Sequence, residues 1–166
     1  MSRQDFKILI VCTGNTCRSP MAEGILKSTM KNRGIENIKV GSAGIGALEG
    51  MPATPFAIEA AKLWDVDISH HRARQLNRAM LQEAGLILAM APEHSESIIR
   101  KAPEAAAKTY LIKGFPEPLS KSQEGVQDPI GGTIDDYNQT YMELDEILRR
   151  IENKIITLSD SLKNKS

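Results

Sequence analysis

The sequence predicts an α/β protein, a four-stranded parallel sheet flanked by helices. Three observations predict it. Short apolar runs at Phe6–Val11, Ile38–Val40, Gly85–Met90 and Thr109–Ile112 read as buried strands. Between them lie stretches with apolar residues at helical spacing, opening near Pro20, Pro55 and Pro92, where proline suits a first helical turn. Strand–helix alternation is the signature of a parallel sheet covered by helices. With 166 residues, 41% of them hydrophobic, the chain is expected to form one domain over 1–166 with room for a core. No repeat, low-complexity linker or domain boundary interrupts it.

Twenty-one basic side chains balance 21 acidic ones, so any anion affinity is local to a site. Neither a general nucleic-acid surface nor an anionic-membrane surface is expected. The N-terminus Met1–Lys7 lacks the apolar core of a signal peptide, and no run approaches the roughly 18 residues of a membrane span. A cytoplasmic monomer is expected. Cys12 and Cys17 are the two cysteines. Five apart and without a nearby His, they fit neither a secreted disulfide framework nor tetrahedral zinc, so no metal and no cofactor is expected.

The first strand runs into Val11-Cys12-Thr13-Gly14-Asn15-Thr16-Cys17-Arg18-Ser19-Pro20. Cys12 to Arg18 is therefore a strand-to-helix turn, and such turns at strand carboxyl ends are where open parallel sheets bind ligands. Its residue types suit a dianion. Unpaired N–H groups at a helix start carry partial positive charge. Gly14 can take a positive φ and lets the main chain close on a ligand. Arg18 offers a planar, permanently charged fork to two phosphate oxygens. Among these donors the Cys12 thiol is expected to fall from about 8.5 into roughly the 3.5–7.5 range and to be a thiolate at neutral pH. It would then attack phosphorus in line, with Ser19 in reach to hydrogen-bond the sulfur as it leaves.

The Cys-x5-Arg-Ser arrangement resembles the phosphate-binding loop of cysteine-dependent protein phosphatases. The fuller string V-C-T-G-N-T-C-R-S-P-M-A-E resembles the low-molecular-weight protein-tyrosine phosphatase family, and most of all its bacterial protein-arginine-phosphatase branch. The resemblance covers the whole chain. It implies a flavodoxin-like strand order 2-1-3-4, a phosphorylated protein as substrate and a phosphocysteine intermediate. Thr13, Gly14, Asn15, Thr16, Cys17 and Ser19 become phosphate- or substrate-binding positions. Ser42, in Gly41-Ser42-Ala43-Gly44 after the second strand, is implied to hold Asn15. Asn15 accepts left-handed geometry and bonds neighbouring backbone, so its role is loop shape.

Lys31-Asn32-Arg33-Gly34 reads as the stop of the first helix. The glycine-rich stretch Gly44–Pro52 is an ordinary connection or the rim of the site. Thr54 is expected to cap a helix running to Trp64, and Trp64 to be core or half-buried packing. The basic cluster His70–Leu76 reads as a solvated or partner-facing loop, because adjacent histidines point in different directions and do not make a metal site. The family has a similar H-x-A-R-x-L passage. His94, near a strand's carboxyl end, is a candidate general base that the mechanism does not require.

The loop Gly114–Gln127 delivers Asp128-Pro129-Ile130-Gly131-Gly132. Pro129 biases Asp128 toward an extended backbone. Phosphoryl transfer to a thiolate needs a proton for the leaving group, then a base for water. The family's general acid is an Asp in a similar D-P motif, which carries onto Asp128. Thr133 is expected to cap the last helix, whose apolar face runs from Tyr137 to Leu158, and Ser159–Ser166 to fray.

Substrate choice turns on Thr16 and on the residues after Asp128-Pro129. Thr16 and Gly131-Gly132 follow the arginine-phosphatase pattern, whereas tyrosine-specific relatives commonly place a bulky aliphatic residue at Thr16. Ile130 stands where both branches usually carry an aromatic ring. Phosphoarginine is favoured over phosphotyrosine. Arsenate reductase, which relays oxidation through cysteines after the third strand, is disfavoured because Gly85 to Ile112 contains none. A non-catalytic phosphate-binding or redox-sensing module is the remaining rival, and a Cys12–Cys17 disulfide would shield the nucleophile from over-oxidation.

Overall fold

A computed structural model describes residues 5–163. In chain order the elements are β1 (Phe6–Cys12), α1 (Arg18–Asn32), β2 (Ile38–Gly44), α2 (Pro55–Lys62), α3 (Arg78–Glu83), β3 (Leu86–Ala89), α4 (Pro92–Lys101), a 3-10 turn (Pro103–Lys108), β4 (Thr109–Leu111) and α5 (Ile134–Lys163). The strands form one parallel sheet in the order β2-β1-β3-β4, the flavodoxin-like order that was expected. Register pairs Cys12 with Gly44, Val11 with Ala89, and Ala89 with Leu111. The carboxyl ends of the strands are thus aligned, and the segments that follow β1, β2, β3 and β4 meet at one edge.

Side chains alternate across the sheet. Ile8, Ile10 and Cys12 face a core with Met21 and Leu26 of α1 and Tyr141, Leu144 and Ile151 of α5. Leu9, Val11, Ile87 and Ala89 face a second core with Leu81 of α3 and Ile98 of α4. Burial on both faces explains why these strands read as unbroken apolar runs.

Helix ends follow local chemistry. Gly34, at φ 68°, closes α1: its N–H reaches the Lys31 carbonyl and that of Ile35 reaches Met30. Thr133 opens α5 in a reciprocal cap, its hydroxyl accepting from Asp136 N–H at 3.3 Å while the Asp136 carboxylate accepts from Thr133 N–H at 2.8 Å.

Three expected element bounds are corrected and two short elements are added. β2 extends to Gly44 because pairing with β1 continues to Cys12. α2 stops at Lys62, where Asp65 takes φ 59° and Val66 N–H bonds the Ala61 carbonyl, turning the chain before Trp64 can join the helix. Trp64 is half-exposed and stacks on Tyr141 at 6.0 Å. The short α3, capped by Asn77 accepting from Met80 N–H at 2.9 Å, and the 3-10 turn carry too little periodicity to announce themselves. α5 runs on through Lys163, since Ser159 sits four residues beyond Ile155 on the buried face and is itself buried. Of the expected frayed end, residues 164–166 lie outside the described part. No helix among the described residues is long and apolar enough to cross a membrane.

Candidate active site

Cys12 ends β1 and is buried. Its Sγ lies 2.8 Å from Ser19 Oγ and accepts from the Asn15 N–H at 3.3 Å. Burial pushes the thiol up, against the pull of the Ser19 hydroxyl, the Arg18 guanidinium and the Asn15 N–H. This corrects the expected lowering of the thiol. The donors are there, but the end of the sheet is sealed tightly enough that desolvation of the sulfur outweighs them.

Asn15 is the hub of the loop. It is fully buried at φ 58°, the left-handed geometry expected of it. Its Nδ2 donates to Ser19 Oγ at 2.7 Å and to Ser42 Oγ at 2.9 Å, and its Oδ1 accepts from Arg74 N–H at 2.9 Å. Because a backbone N–H can only donate, Arg74 fixes which way the amide points. Ser19, accepting from Asn15, directs its own proton to Cys12, and the Ser42 hydroxyl donates to the Glu23 carboxylate. The Asn15 carbonyl meets His71 Nε2 at 2.7 Å.

The expected solvated loop over His70–Leu76 is therefore corrected at two positions. His71 is half-buried against Asn15, and Arg74 Nε donates to the Ser42 carbonyl at 3.1 Å, so the segment braces the phosphate loop. The H-x-A-R-x-L passage was the only sequence signal for this. The glycine-rich connection serves the same end. N–H groups of Ile45, Gly46 and Thr54 take up the carbonyls of Cys12, Thr13 and Thr16 at 3.0, 2.9 and 2.9 Å. A Cβ on Gly44 would run into the Thr13 carbonyl oxygen, so glycine permits this close approach.

Arg18, 4% exposed, opens α1 and reaches three residues on two segments. Nη1 donates to the Val126 carbonyl at 2.9 Å, while Nη2 lies 3.4 Å from both Thr13 Oγ1 and Asp128 Oδ2. Asp128 is partly exposed and accepts from Ile130 N–H at 3.1 Å through its other oxygen. Gly131 turns the chain at φ 79°. Thr16 is half-buried in the loop between Asn15 and Cys17.

Cys17 points elsewhere, its Sγ 3.5 Å from Thr54 Oγ1 and 3.4 Å from Tyr137 Oη. Thr54 precedes α2 as expected, but its hydroxyl meets this sulfur instead of capping the helix. Burial, then the Cys17 bond, pushes the Tyr137 phenol up to about 12. Both thiols are free. His94 is buried with Nε2 2.8 Å from Thr13 Oγ1, and burial followed by Arg18 pushes it down to about 4, so the ring is neutral near pH 7. Among the described residues no group of three or more His, Cys, Asp or Glu side chains could hold a metal.

A thiol at a strand end, a permanently charged fork and a carboxyl group within one cleft suit phosphoryl transfer of the cysteine type. The family model described as Low molecular weight phosphotyrosine protein phosphatase matches residues 7–166, and the chain belongs to that family. It is 40% identical over 149 residues, 89% of this chain and 95% of the relative, to the protein-arginine-phosphatase of Bacillus subtilis (strain 168). The YwlE arginine phosphatase structure from Geobacillus stearothermophilus superposes with a TM-score of 0.80 at 36% identity, covering 92% of this chain and 94% of that one. A low molecular weight protein tyrosine phosphatase structure from T. tengcongensis gives 0.82 at 40% identity, covering 90% and 99%. The protein is a hydrolase of the arginine- or tyrosine-phosphatase type.

Proposed function

We propose that residues 1–166 act as one phosphatase unit that removes phosphate from phosphoarginine in proteins. Cys12 attacks phosphorus as the thiolate, the form that Ser19, Arg18 and the Asn15 N–H favour against burial, forming the S–P bond as the P–N bond breaks. Arg18 and the loop N–H groups hold the equatorial oxygens, and Asp128 gives its proton to the departing guanidine nitrogen. Asp128, now a carboxylate, takes a proton from water. The new P–O bond forms as S–P breaks, and Ser19 donates to the leaving thiolate. Ser42, with Asn15, keeps the loop in shape.

The convergence of Cys12, Arg18 and Asp128 carries the mechanism: Ser19 Oγ lies 2.8 Å from the sulfur, and Arg18 Nη2 lies 3.4 Å from the Asp128 carboxylate. The substrate reading rests on Thr16 and on the 40% identity to a relative named protein-arginine-phosphatase. Thr16 is short, so it leaves room for a flat guanidinium where a bulky aliphatic residue would not. Phosphotyrosine is the second reading, favoured by the 40% identity to a structure named a tyrosine phosphatase.

Steady-state hydrolysis of phosphoarginine and phosphotyrosine peptides, with Cys12→Ser as the blank, tests both. The expected kcat/KM for phosphoarginine is higher by about tenfold or more. Ile130→Phe, adding a ring at a position 62% exposed, raises it by about threefold through stacking. Preference for phosphotyrosine would overturn the substrate and keep the mechanism, whereas turnover of both peptides surviving in Cys12→Ser would overturn the mechanism.

A further inference from the structure

We propose that His94 is a positioning residue for phosphoryl transfer, fixing the Arg18 guanidinium through the Thr13 hydroxyl. This rests on reading Arg18 as the group that holds the phosphate oxygens. His94 is the third residue of α4, directly behind the carboxyl end of β3, and is fully buried. Its Nε2 lies 2.8 Å from Thr13 Oγ1, and the same hydroxyl lies 3.4 Å from Arg18 Nη2. A guanidinium has donors only, so the hydroxyl accepts from Arg18 and its single proton is free to go to the imidazole. In the proposed arrangement Nε2 is the acceptor and Nδ1 carries the ring proton. Nδ1 is a buried atom with no hydrogen-bond partner.

That orphan is informative. A buried, unpaired polar atom costs stability and calls for an explanation. A leucine or methionine would fill the space without one. What the imidazole supplies is a neutral acceptor at a fixed point. Burial and the Arg18 guanidinium favour the neutral ring, while Glu93 on α4 and Asp128 across the cleft favour the charged one. A charged ring would set a second cation beside Arg18 and offer Thr13 a donor in place of an acceptor. With the hydroxyl oriented, Arg18 is held from the floor of the site. Without it, only Val126 and Asp128, on the segment that also carries Ile130, would hold the fork.

Four variants of the full chain test this: His94→Leu, His94→Gln, Thr13→Val and the double His94→Leu/Thr13→Val. His94→Leu is expected to lower kcat/KM by about 10²-fold, with KM rising and kcat falling, because a small misplacement of a phosphate-binding group is costly. Its unfolding temperature stays level or rises. The double variant is no worse than Thr13→Val, and His94→Gln, whose amide oxygen reaches the Nε2 position, regains about tenfold of the loss. Long-range 1H–15N correlation in the wild-type protein reads an Nδ1-protonated ring. Additive losses, unfolding temperature falling in step with activity, or an Nε2-protonated ring would each overturn the proposal. Wild-type turnover that persists in Cys12→Ser would sink the underlying mechanism instead. Cys12-dependent turnover untouched by His94→Leu sinks only the role of His94.

Discussion

In the proposed mechanism the phosphate loop and the acid loop face the same substrate, and they are built by opposite rules. In the phosphate loop Asn15 and Ser19 are fully buried, Cys12 is 2% exposed, and Asn15 alone is bonded to Ser19, Ser42, His71 and Arg74. In the acid loop the Asp128 side chain is 36% exposed, Ile130 is 62% exposed, and the carboxylate relies on Arg18 and one N–H of its own turn. A phosphoryl group has one shape and one charge, so its cradle is best fixed before it arrives. In the proposed mechanism Asp128 must reach a leaving group and then a water molecule, and its loop is open at the surface. Rigidity and access are divided between two segments 110 residues apart in sequence, joined by Arg18 and Asp128.

Asp128→Asn breaks the contrast most sharply. It keeps the shape of the carboxyl group and removes the proton it exchanges, so kcat is expected to fall about 10³-fold. Stability should change by about 1 kcal/mol or less, since the partner interaction is partly solvated. Kinetics beside a urea melt checks both, and a large loss of stability would show that the acid loop is as structural as the phosphate loop.

Asn15→Ala should behave in the reverse way. It strands Ser19, Ser42 and the Arg74 N–H and puts alanine in a left-handed backbone, at a cost of about 3 kcal/mol. Activity should fall about 10²-fold with it, because the whole cradle moves. An unchanged unfolding midpoint would mean that the brace is dispensable.

Ser19→Ala gives the smallest effect and sharpens the picture of the sulfur. The Ser19 bond favours the thiolate, so its loss moves the Cys12 thiol further up. At any pH below that value the thiolate fraction drops, about tenfold for each pH unit of displacement. Alkylation by iodoacetamide across pH should show a higher midpoint in the variant than in the wild-type protein. A lower or equal midpoint would remove Ser19 from the chemistry of the sulfur.

How much of this was legible depended on distance along the chain. The nucleophile, the fork and the helix that follows lie within one short stretch, and Asp-Pro with paired glycines marks a second, so both could be read as motifs. The caps at Gly34 and Thr133 were legible for the same reason, each being fixed by neighbours within a few residues. The end of α5 was misread because Ser159 is polar, although helical spacing puts it beneath Ile155 on the buried face. His71 and Arg74 looked like a solvated basic run, since nothing local announces a partner 56 or 59 residues earlier.

The sequence by itself determined the alternation of strands and helices and the family, and it singled out Cys12, Arg18 and Asp128 as the candidates for phosphate cradle and acid. Those follow from local propensity, turn chemistry and a motif long enough to be specific. Only the tertiary structure decided that the Cys12 thiol is pushed up, that Asn15 is braced from β2 and from the His71–Arg74 segment, and that His94 is buried against Thr13, 81 residues away. Desolvation and hydrogen bonding at a site depend on which distant side chains the packed sheet brings together and how completely they exclude water. That is a property of the assembled core, and no stretch of chain carries it alone.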